Sequence, residues 1–174
     1  MSAALSSRAC VQRPSLAAVS RRAARSRGLR VNALAVPDEY GYVMTSVALA
    51  GMLTQWQAIR VAAARRKYGV SYPTMYAEGD SEEAVIFNCT QRAHQNTLEY
   101  LPATLGTQMM LGLVYPKVAA GLGLVWAASR VVYTLGYSTG DPSKRLPGTA
   151  GSGLAYVALL LSTVVVGLRT ALHF

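Results

Sequence analysis

Four long stretches of the chain are almost free of charged residues, and short polar segments separate them. The first and the last, Gly41–Ile59 and Leu146–Leu168, hold 19 and 23 residues without a charge. Between them lie Tyr100–Pro116, with 17 uncharged residues, and Val118–Gly140, which only Arg130 interrupts. Because a helix needs about 20 residues to cross the hydrocarbon core, the middle two reach that length only with their polar ends. The pattern predicts an all-α integral membrane bundle of four helices.

The predicted membrane spans cover approximately residues 41–60, 92–115, 117–138 and 148–170. The predicted connections are a polar loop at Arg60–Phe87, a turn at Tyr115–Lys117 and a segment rich in Gly and Pro at Gly140–Gly148. A membrane β-barrel would need alternating segments of about 10 residues, which are not found. A soluble bundle would need a polar face on each helix, and the fourth stretch has none.

Lysine and arginine are concentrated in the first and third of these connections, which four spans place on the same side of a membrane. The first holds Arg60, Arg65, Arg66 and Lys67, and the third holds Lys144 and Arg145. The second connection holds only Lys117. The distribution indicates that the first and third connections face the cytosol or stroma.

Composition supports a membrane protein and shows where the basic excess lies. Charged residues make up 14% of the chain, against about 25% in soluble domains. Residues 1–37 hold seven arginines and no acid, whereas the remainder holds ten basic and eight acidic residues. The net charge of +9 therefore belongs mostly to the N-terminal segment, and no nucleic-acid partner is expected.

The N-terminal segment, residues 1–37, has the composition of an organelle transit peptide, being rich in Ser, Ala and Arg. Its end, Val31-Asn32-Ala33, resembles the Val-x-Ala processing sites of chloroplast import in algae. The alternative is a basic tail that stays attached. Cleavage would leave a membrane domain at 38–174 and remove Cys10, so that Cys89 alone would provide neither an intrachain disulfide nor a metal framework.

Two sets of polar residues recur at helical spacing close to the first and third connections. They are Arg92, Asn96 and Glu99 at the start of the second predicted span and Arg130, Tyr133 and Tyr137 in the third. Each set shares one helical face, and charges inside spans are costly and tend to be functional. We expect an inward-facing polar pocket at one membrane face, in which Arg92 and Glu99 can pair.

Such a pocket suits a small zwitterion with excess negative charge. Arginines bind carboxylates through forked hydrogen bonds, a carboxylate accepts from an amine, and a nearby arginine favours a thiolate over a thiol. Glutathione, with two carboxylates, one amine and one thiol, has these features, and the bilayer would supply an apolar second substrate. Three simpler interpretations remain: a structural Arg92–Glu99 ion pair, topology signals at Arg65–Lys67, and interfacial aromatics at Tyr133 and Tyr137.

The segment Phe87–Glu99 closely resembles the signature of the MAPEG family, the membrane-associated proteins in eicosanoid and glutathione metabolism. Further matches are Arg65–Tyr68 with Tyr72-Pro73, Gly121–Leu124, Gly136-Tyr137 and Pro142–Arg145. They occur in order over approximately residues 39–170.

The resemblance implies four-helix protomers that form homotrimers, with glutathione bound between neighbouring subunits. By motif match, the glutathione contacts are Arg92, Asn96, Glu99, Tyr100, Arg130, Tyr133 and Tyr137. In the family an arginine stabilises the thiolate, and it matches Arg145 here. An alignment with a one-residue gap would match it to Lys144 instead, and Lys144 is otherwise expected as a glutathione contact. Arg66 matches a second catalytic arginine that assists the chemistry from the first helix.

The expected function is that of a glutathione transferase with glutathione peroxidase activity in a membrane. Glutathione is the expected co-substrate, with no metal, and a lipophilic electrophile or a lipid hydroperoxide is the expected partner. A non-catalytic lipid-presenting member of the family and a small transporter subunit are the alternatives. The transit-like segment favours a chloroplast membrane, with mitochondrion and endoplasmic reticulum as alternatives.

Overall fold

A computed structural model describes residues 36–172, and these form four α-helices and one 3₁₀ turn. They are α1 (Tyr40–Tyr68), α2 (Glu82–Gly112), α3 (Pro116–Tyr137), the 3₁₀ turn (Pro142–Arg145) and α4 (Leu146–Leu172). Each helix has between 22 and 31 residues, which at 1.5 Å per residue suffices to cross a hydrocarbon core about 30 Å thick. The prediction of four helices is confirmed. Cys10 and almost all of the predicted transit segment lie outside the described residues.

The predicted first connection is wrong in its bounds, because both helices that flank it extend beyond the apolar stretches. Helix α1 continues past Arg60 to Tyr68, and Gly69, with φ at 68°, ends it by donating its N–H to the Arg65 carbonyl. Helix α2 begins at Glu82, where the Ser81 hydroxyl accepts from the N–H of Ala84. Charged residues end a hydrocarbon span but do not end a helix, so the connection shrinks to residues 69–81.

The predicted third connection is also too long. The 3₁₀ turn occupies half of it, and α4 begins at Leu146 with Pro147 and Gly148 inside the helix. Proline is tolerated in the first turn of a helix because the N–H that it lacks would have no partner there. The basic residues of this segment therefore lie on ordered structure rather than on a long loop.

Two of the four helices are long and apolar enough to be candidate membrane spans by composition. Within the described part of the chain, these are Pro116–Tyr137 and Pro142–Leu172, with mean hydropathy of 1.5 and 1.9, whereas α1 and α2 are less apolar. The difference lies in polar residues that α1 and α2 carry. The structure places several of them in the bundle core, including Gln57, Thr97 and Gln108.

The bundle buries an unusual number of polar side chains and exposes many large apolar ones. Six of the eleven largest fully buried side chains are polar: Ser46, Gln57, Thr97, Thr104, Gln108 and Thr134. Large apolar side chains such as Met52, Leu154 and Leu161 are more than 60% exposed. Extensive apolar exposure on all sides is not stable in water, whereas small and polar residues between helices are typical of packing in lipid.

Helices α2 and α3 form the centre of the bundle, and each contacts every other helix. Helices α1 and α4 lie on opposite sides of this pair. One apolar cluster joins Val43, Leu111, Ala119 and Leu159 near the second connection, and another surrounds Trp126 at mid-height. Helices α2 and α3 are therefore held on more sides than α1 and α4, and they carry the two sets of polar residues that the sequence predicts to act together.

Substituting Gly148 should destabilise the bundle, because α4 and α3 touch there through their backbones. A Cβ on Gly148 would overlap the backbone N and Cα of Tyr133, so Gly148→Ala must push one helix away from the other. We expect a loss of about 1–3 kcal/mol, seen as a lower Tm in detergent. Gly167→Ala, whose new methyl group meets nothing within 4 Å, is the control and should leave the Tm unchanged or raised. Equal effects would contradict this packing.

Candidate functional site

The three polar residues predicted to share a face of α2 are joined by direct bonds. Arg92 Nη1 donates to Glu99 Oε1 at 2.9 Å, and Asn96 Nδ2 donates to Glu99 Oε2 at 3.1 Å. The prediction that Arg92 and Glu99 can pair is confirmed. The Arg92 and Glu99 side chains are 44% and 49% exposed, so this pair lies on the surface of the protomer and not in its core.

Arg130 connects this surface to the interior of the bundle. It lies on α3 with only 3% of its surface exposed. Its Nη2 donates to Asn96 Oδ1 at 2.8 Å and its Nε donates to Thr97 Oγ1 at 3.1 Å. Asn96 is therefore held on one side by Arg130 and on the other by Glu99, which fixes its amide orientation. Helices α2 and α3 converge here as the sequence predicted.

Gln57 on α1 completes the support of Arg130, and sequence reasoning missed it. Its Nε2 donates to Thr97 Oγ1 at 2.9 Å and to Thr134 Oγ1 at 2.6 Å. Both hydroxyls already donate to carbonyls of their own helices, those of Ala93 and Arg130, so they can only accept from Gln57. A polar amide within an uncharged span was the available signal, because such residues face the bundle interior.

Aromatic rings link Arg130 to the 3₁₀ turn. The Arg130 guanidinium carbon lies 4.4 Å from the ring centroid of Tyr133, and Tyr133 meets Tyr137 edge to face at 5.6 Å. The Arg145 guanidinium carbon lies 4.9 Å from the Tyr137 ring. These are distances at which cations and aromatic faces attract each other. The arginine cluster, defined as Arg92, Asn96, Glu99, Arg130, Tyr133, Tyr137 and Arg145, is therefore continuous.

The two candidates for the thiolate-stabilising residue are placed differently. Arg145 is half-buried and stacks on Tyr137, whereas Lys144 is exposed. The turn that carries them is fixed at its start by Asp141, whose Oδ1 accepts from the Ser143 hydroxyl at 2.7 Å and from the Ser143 N–H at 2.8 Å. These hydrogen bonds hold the pKa of Asp141 below its usual range. The Asp141 carboxylate therefore stays ionised, and keeps accepting both hydrogen bonds, down to a lower pH than an ordinary aspartate would.

A glycine on α3 lets this turn approach. A Cβ on Gly136 would overlap the backbone carbonyl of Lys144, so Gly136→Ala should displace the residue next to Arg145. A shift near 1 Å at a reacting centre can lower turnover by about 100-fold, and we expect a loss of up to that size in steady-state kinetics. Gly121→Ala in the same helix, with open space around its new methyl group, should keep full turnover. A fully active Gly136→Ala variant would show that the turn's position is not critical.

Tyr100 and Arg66 differ in how closely they join the arginine cluster. Tyr100 lies on α2 next to a cavity of about 70 Å³ that is also lined by Asn96, Trp126, Arg130, Thr149 and Ser152. Arg66 is exposed on the last turn of α1, and within residues 36–172 no hydrogen bond or ion pair links it to the cluster. Its neighbour Arg65 is buried and donates to the carbonyl of Thr74 at 2.7 Å, which gives Arg65 a structural role at the first connection.

The small cavity beside Tyr100 and the exposed Arg92–Glu99 pair indicate that the site is incomplete in one protomer. Small-molecule sites usually measure about 300–1,000 Å³, well above the space that one protomer encloses here. Charged side chains that face lipid are costly, yet Arg92 and Glu99 are half-exposed on the protomer surface. A polar ligand together with a second polypeptide surface would resolve both difficulties.

Sequence comparisons match the described domain over most of its length. The sequence model of the MAPEG family matches residues 43–165. Leukotriene C4 synthase of Cavia porcellus is 30% identical over 128 residues, covering 73% of this chain and 81% of that protein. Microsomal glutathione S-transferase 2 of Bos taurus is 38% identical over 112 residues, covering 64% and 71%. An uncharacterized protein of Synechocystis sp. is 35% identical over 120 residues, covering 68% and 82%.

Proposed function

This chain belongs to the MAPEG family, and from that premise we propose that it is a membrane glutathione transferase with glutathione peroxidase activity. The observation that carries the proposal is the continuous arginine cluster, which runs from Arg92 through Arg130 to Arg145 across α2, α3 and the 3₁₀ turn. The cluster contains three guanidinium groups and a single carboxylate, so it presents an excess of positive charge to a ligand. The relatives named as a glutathione transferase and a leukotriene C4 synthase support glutathione as that ligand.

The polar groups of the cluster suit the ends of glutathione. Arg92, Arg130 and Asn96 offer donors for its carboxylates, and Glu99 offers an acceptor for its amine. The Tyr133 and Tyr137 hydroxyls and Tyr100 offer neutral hydrogen bonds. The lone pairs of Glu99 are already oriented by Arg92 and Asn96, so binding requires little rearrangement of that carboxylate.

Arg145 is the residue proposed to ionise the thiol. A cysteine thiol has a pKa of about 8.5, and a guanidinium beside the sulfur favours its anionic form, which is the nucleophile. The thiolate attacks the electrophilic carbon of a lipophilic substrate and forms the S–C bond of the conjugate, while the bond from that carbon to its leaving group breaks. A chlorinated aromatic releases chloride, and an epoxide opens to an alkoxide that takes up a proton. With a lipid hydroperoxide, the sulfur attacks the O–O bond and a second glutathione completes the reaction. The products are then the lipid alcohol, water and glutathione disulfide.

A homotrimer would complete the site with residues of a neighbouring subunit. The half-exposed Arg92–Glu99 pair and the small cavity of one protomer support a site completed by a neighbouring subunit. In such an assembly, Arg66 would reach the glutathione of the adjacent protomer, and its exposure on α1 is compatible with that role. Lys144 is proposed as an outer contact for a carboxylate rather than as the thiolate-stabilising group.

Two finer proposals concern the type and the compartment. The segment Phe87–Glu99 resembles that of microsomal glutathione S-transferase 3 within the family, and we place the chain with that type. The arginine-rich residues 1–37 support import into a chloroplast, with 38–174 as the mature membrane domain. Fusion of residues 1–40 to a fluorescent protein tests this, and exclusion of the fusion from plastids would overturn it.

The functional test is glutathione-dependent turnover by the purified full-length protein. One arm uses a lipophilic chlorinated aromatic electrophile and the other a fatty-acid hydroperoxide, each against heat-denatured protein. Turnover in either arm supports an enzyme, and the ratio of the arms gives the balance of transferase and peroxidase. Glutathione binding without turnover in either arm would contradict the proposal and favour a non-catalytic, lipid-presenting member of the family.

A further inference from the structure

A second polar groove lies between α1 and α2, beside the C-terminal end of α3, at the same membrane face as the arginine cluster. It measures about 330 Å³ and is lined by Arg60, Lys67 and Tyr68 of α1, Ile86 and Thr90 of α2 and Ser138 just after α3, with Ala63 and Ala64 forming a low floor. Two cations and three hydroxyls line it, and no acidic side chain does. The Thr90 and Ser138 hydroxyls already donate to the carbonyls of Ile86 and Thr134. The guanidinium of Arg60 and the ammonium of Lys67 are therefore the donors that the groove offers to an anion.

This groove is separate from the proposed glutathione site. Thr90 lines the groove, whereas Arg92 begins the arginine cluster two positions later on α2. At about 100° per residue, two positions point to nearly opposite sides of a helix. The body of α2 therefore stands between the two sites.

The cations of the groove are not neutralised within the protein. Among residues 36–172, the ion pairs are Arg92–Glu99 and Lys117–Glu39, and neither involves Arg60 or Lys67. Arg60 stacks on Trp56 with 5.1 Å between the guanidinium carbon and the ring centroid. The Nε of Arg60 is buried and has no hydrogen-bond partner in the described part of the chain. A buried donor without a partner is costly, and an anion in the groove would relieve that cost.

The depth of the groove matches the headgroup layer of a bilayer. Arg60 is the first charged residue after the uncharged stretch Gly41–Ile59, so it lies at the edge of the hydrocarbon core. Lys67 follows two turns later on α1, about 10 Å farther out. The headgroup region extends by several ångströms beyond the core on each side, so both cations can reach a phosphate or sulfonate in that layer.

We propose that the α1–α2 groove binds the anionic headgroup of a membrane lipid, a phosphate or sulfonate ester, with Arg60 and Lys67 as its principal contacts. The site is independent of the chemistry at the arginine cluster. It would place an anionic lipid against α1 and α2, on the face of α2 that is opposite to Arg92.

The test is lipid retention by the full-length protein in neutral detergent, measured by native mass spectrometry. Phosphatidylglycerol is compared with phosphatidylcholine of the same acyl chains, and inorganic phosphate and glutathione are added as competing soluble anions. Preferential retention of phosphatidylglycerol that Arg60→Gln weakens by about fivefold or more supports the site. Arg169→Gln removes the same charge from the exposed end of α4 and should retain lipid as the unmodified protein does.

Three results would overturn the proposal. Equal retention of the neutral and anionic lipids removes the headgroup claim, and displacement of the lipid by millimolar inorganic phosphate assigns the groove to a soluble anion. Equal retention by Arg60→Gln and Arg169→Gln removes the residue assignment. If Arg60→Gln fails to fold, Lys67→Gln, which changes an exposed side chain, decides the point by the same comparison.

Discussion

Arg145→Ala should lower glutathione-dependent turnover by about 100-fold or more, while glutathione affinity falls much less. Arg145 lies at the Tyr137 end of the cluster, away from the Arg92, Asn96 and Glu99 groups that are proposed to hold the backbone of the tripeptide. Removal of one group that stabilises charge at a reacting centre typically costs about 10²–10³ in kcat. Steady-state kinetics give the turnover, and calorimetric titration of glutathione gives the affinity separately.

Lys144→Ala is the matched control for this prediction. It removes a positive charge from the adjacent residue, which is exposed and makes no stacking contact with Tyr137. We expect it to change turnover by less than about fivefold, in keeping with the small energies of exposed charges. If Lys144→Ala proves the more damaging substitution, the thiolate role passes to Lys144. Equal losses of turnover and affinity in Arg145→Ala would show that Arg145 only binds glutathione.

Arg130→Met should weaken glutathione binding by about 10- to 100-fold and also lower the Tm. The buried guanidinium makes two hydrogen bonds, to Asn96 and Thr97, and bonds to charged groups contribute about 1.5–3 kcal/mol each. Methionine fills much of the space but leaves the Asn96 carbonyl oxygen without its donor. The Asn96 amide can then rotate away from Glu99, and the acceptor proposed for the glutathione amine loses its fixed orientation.

Two controls separate a loss of the site from a general loss of fold. Arg169→Met removes an arginine from the last turn of α4, outside the cluster, and should preserve both affinity and Tm. Gln57→Met removes the support beneath Thr97 and Thr134 without touching the ligand side of the cluster, so it should lower the Tm more than the affinity. An Arg130→Met variant that binds glutathione normally would contradict the role given to Asn96.

The hydrophobic pattern predicts the helices better than their ends. Charge-free stretches locate all four helices because each must match the hydrocarbon thickness. Their bounds at Tyr68 and Glu82 depend on the αL conformation of Gly69 and on the Ser81 cap, and both lie outside the lipid, where charged residues continue a helix at little cost. Span prediction therefore places α1 and α2 correctly but makes the connection between them too long.

The sequence predicts which residues of the candidate site share a helical face, but it does not predict the hydrogen bonds that join residues of different helices. The spacing of Arg92, Asn96 and Glu99 predicts that they meet on one helix, and the structure joins them. The position of Gln57 behind Arg130 depends on how α1 packs against α2 and α3, which no local spacing encodes. The choice between Arg145 and Lys144 likewise depends on the 3₁₀ turn and on the close approach at Gly136.

The claim on which the function depends is that the arginine cluster holds glutathione as a thiolate at neutral pH. The direct measurement is a glutathione titration followed by difference absorbance in the thiolate band, with S-methylglutathione as the ligand that cannot ionise. We expect a saturable thiolate signal near pH 7 that S-methylglutathione competes away. The Arg145→Ala variant should lose this signal while it still binds glutathione. Saturable binding without a thiolate signal, or a signal that survives in Arg145→Ala, would contradict the claim.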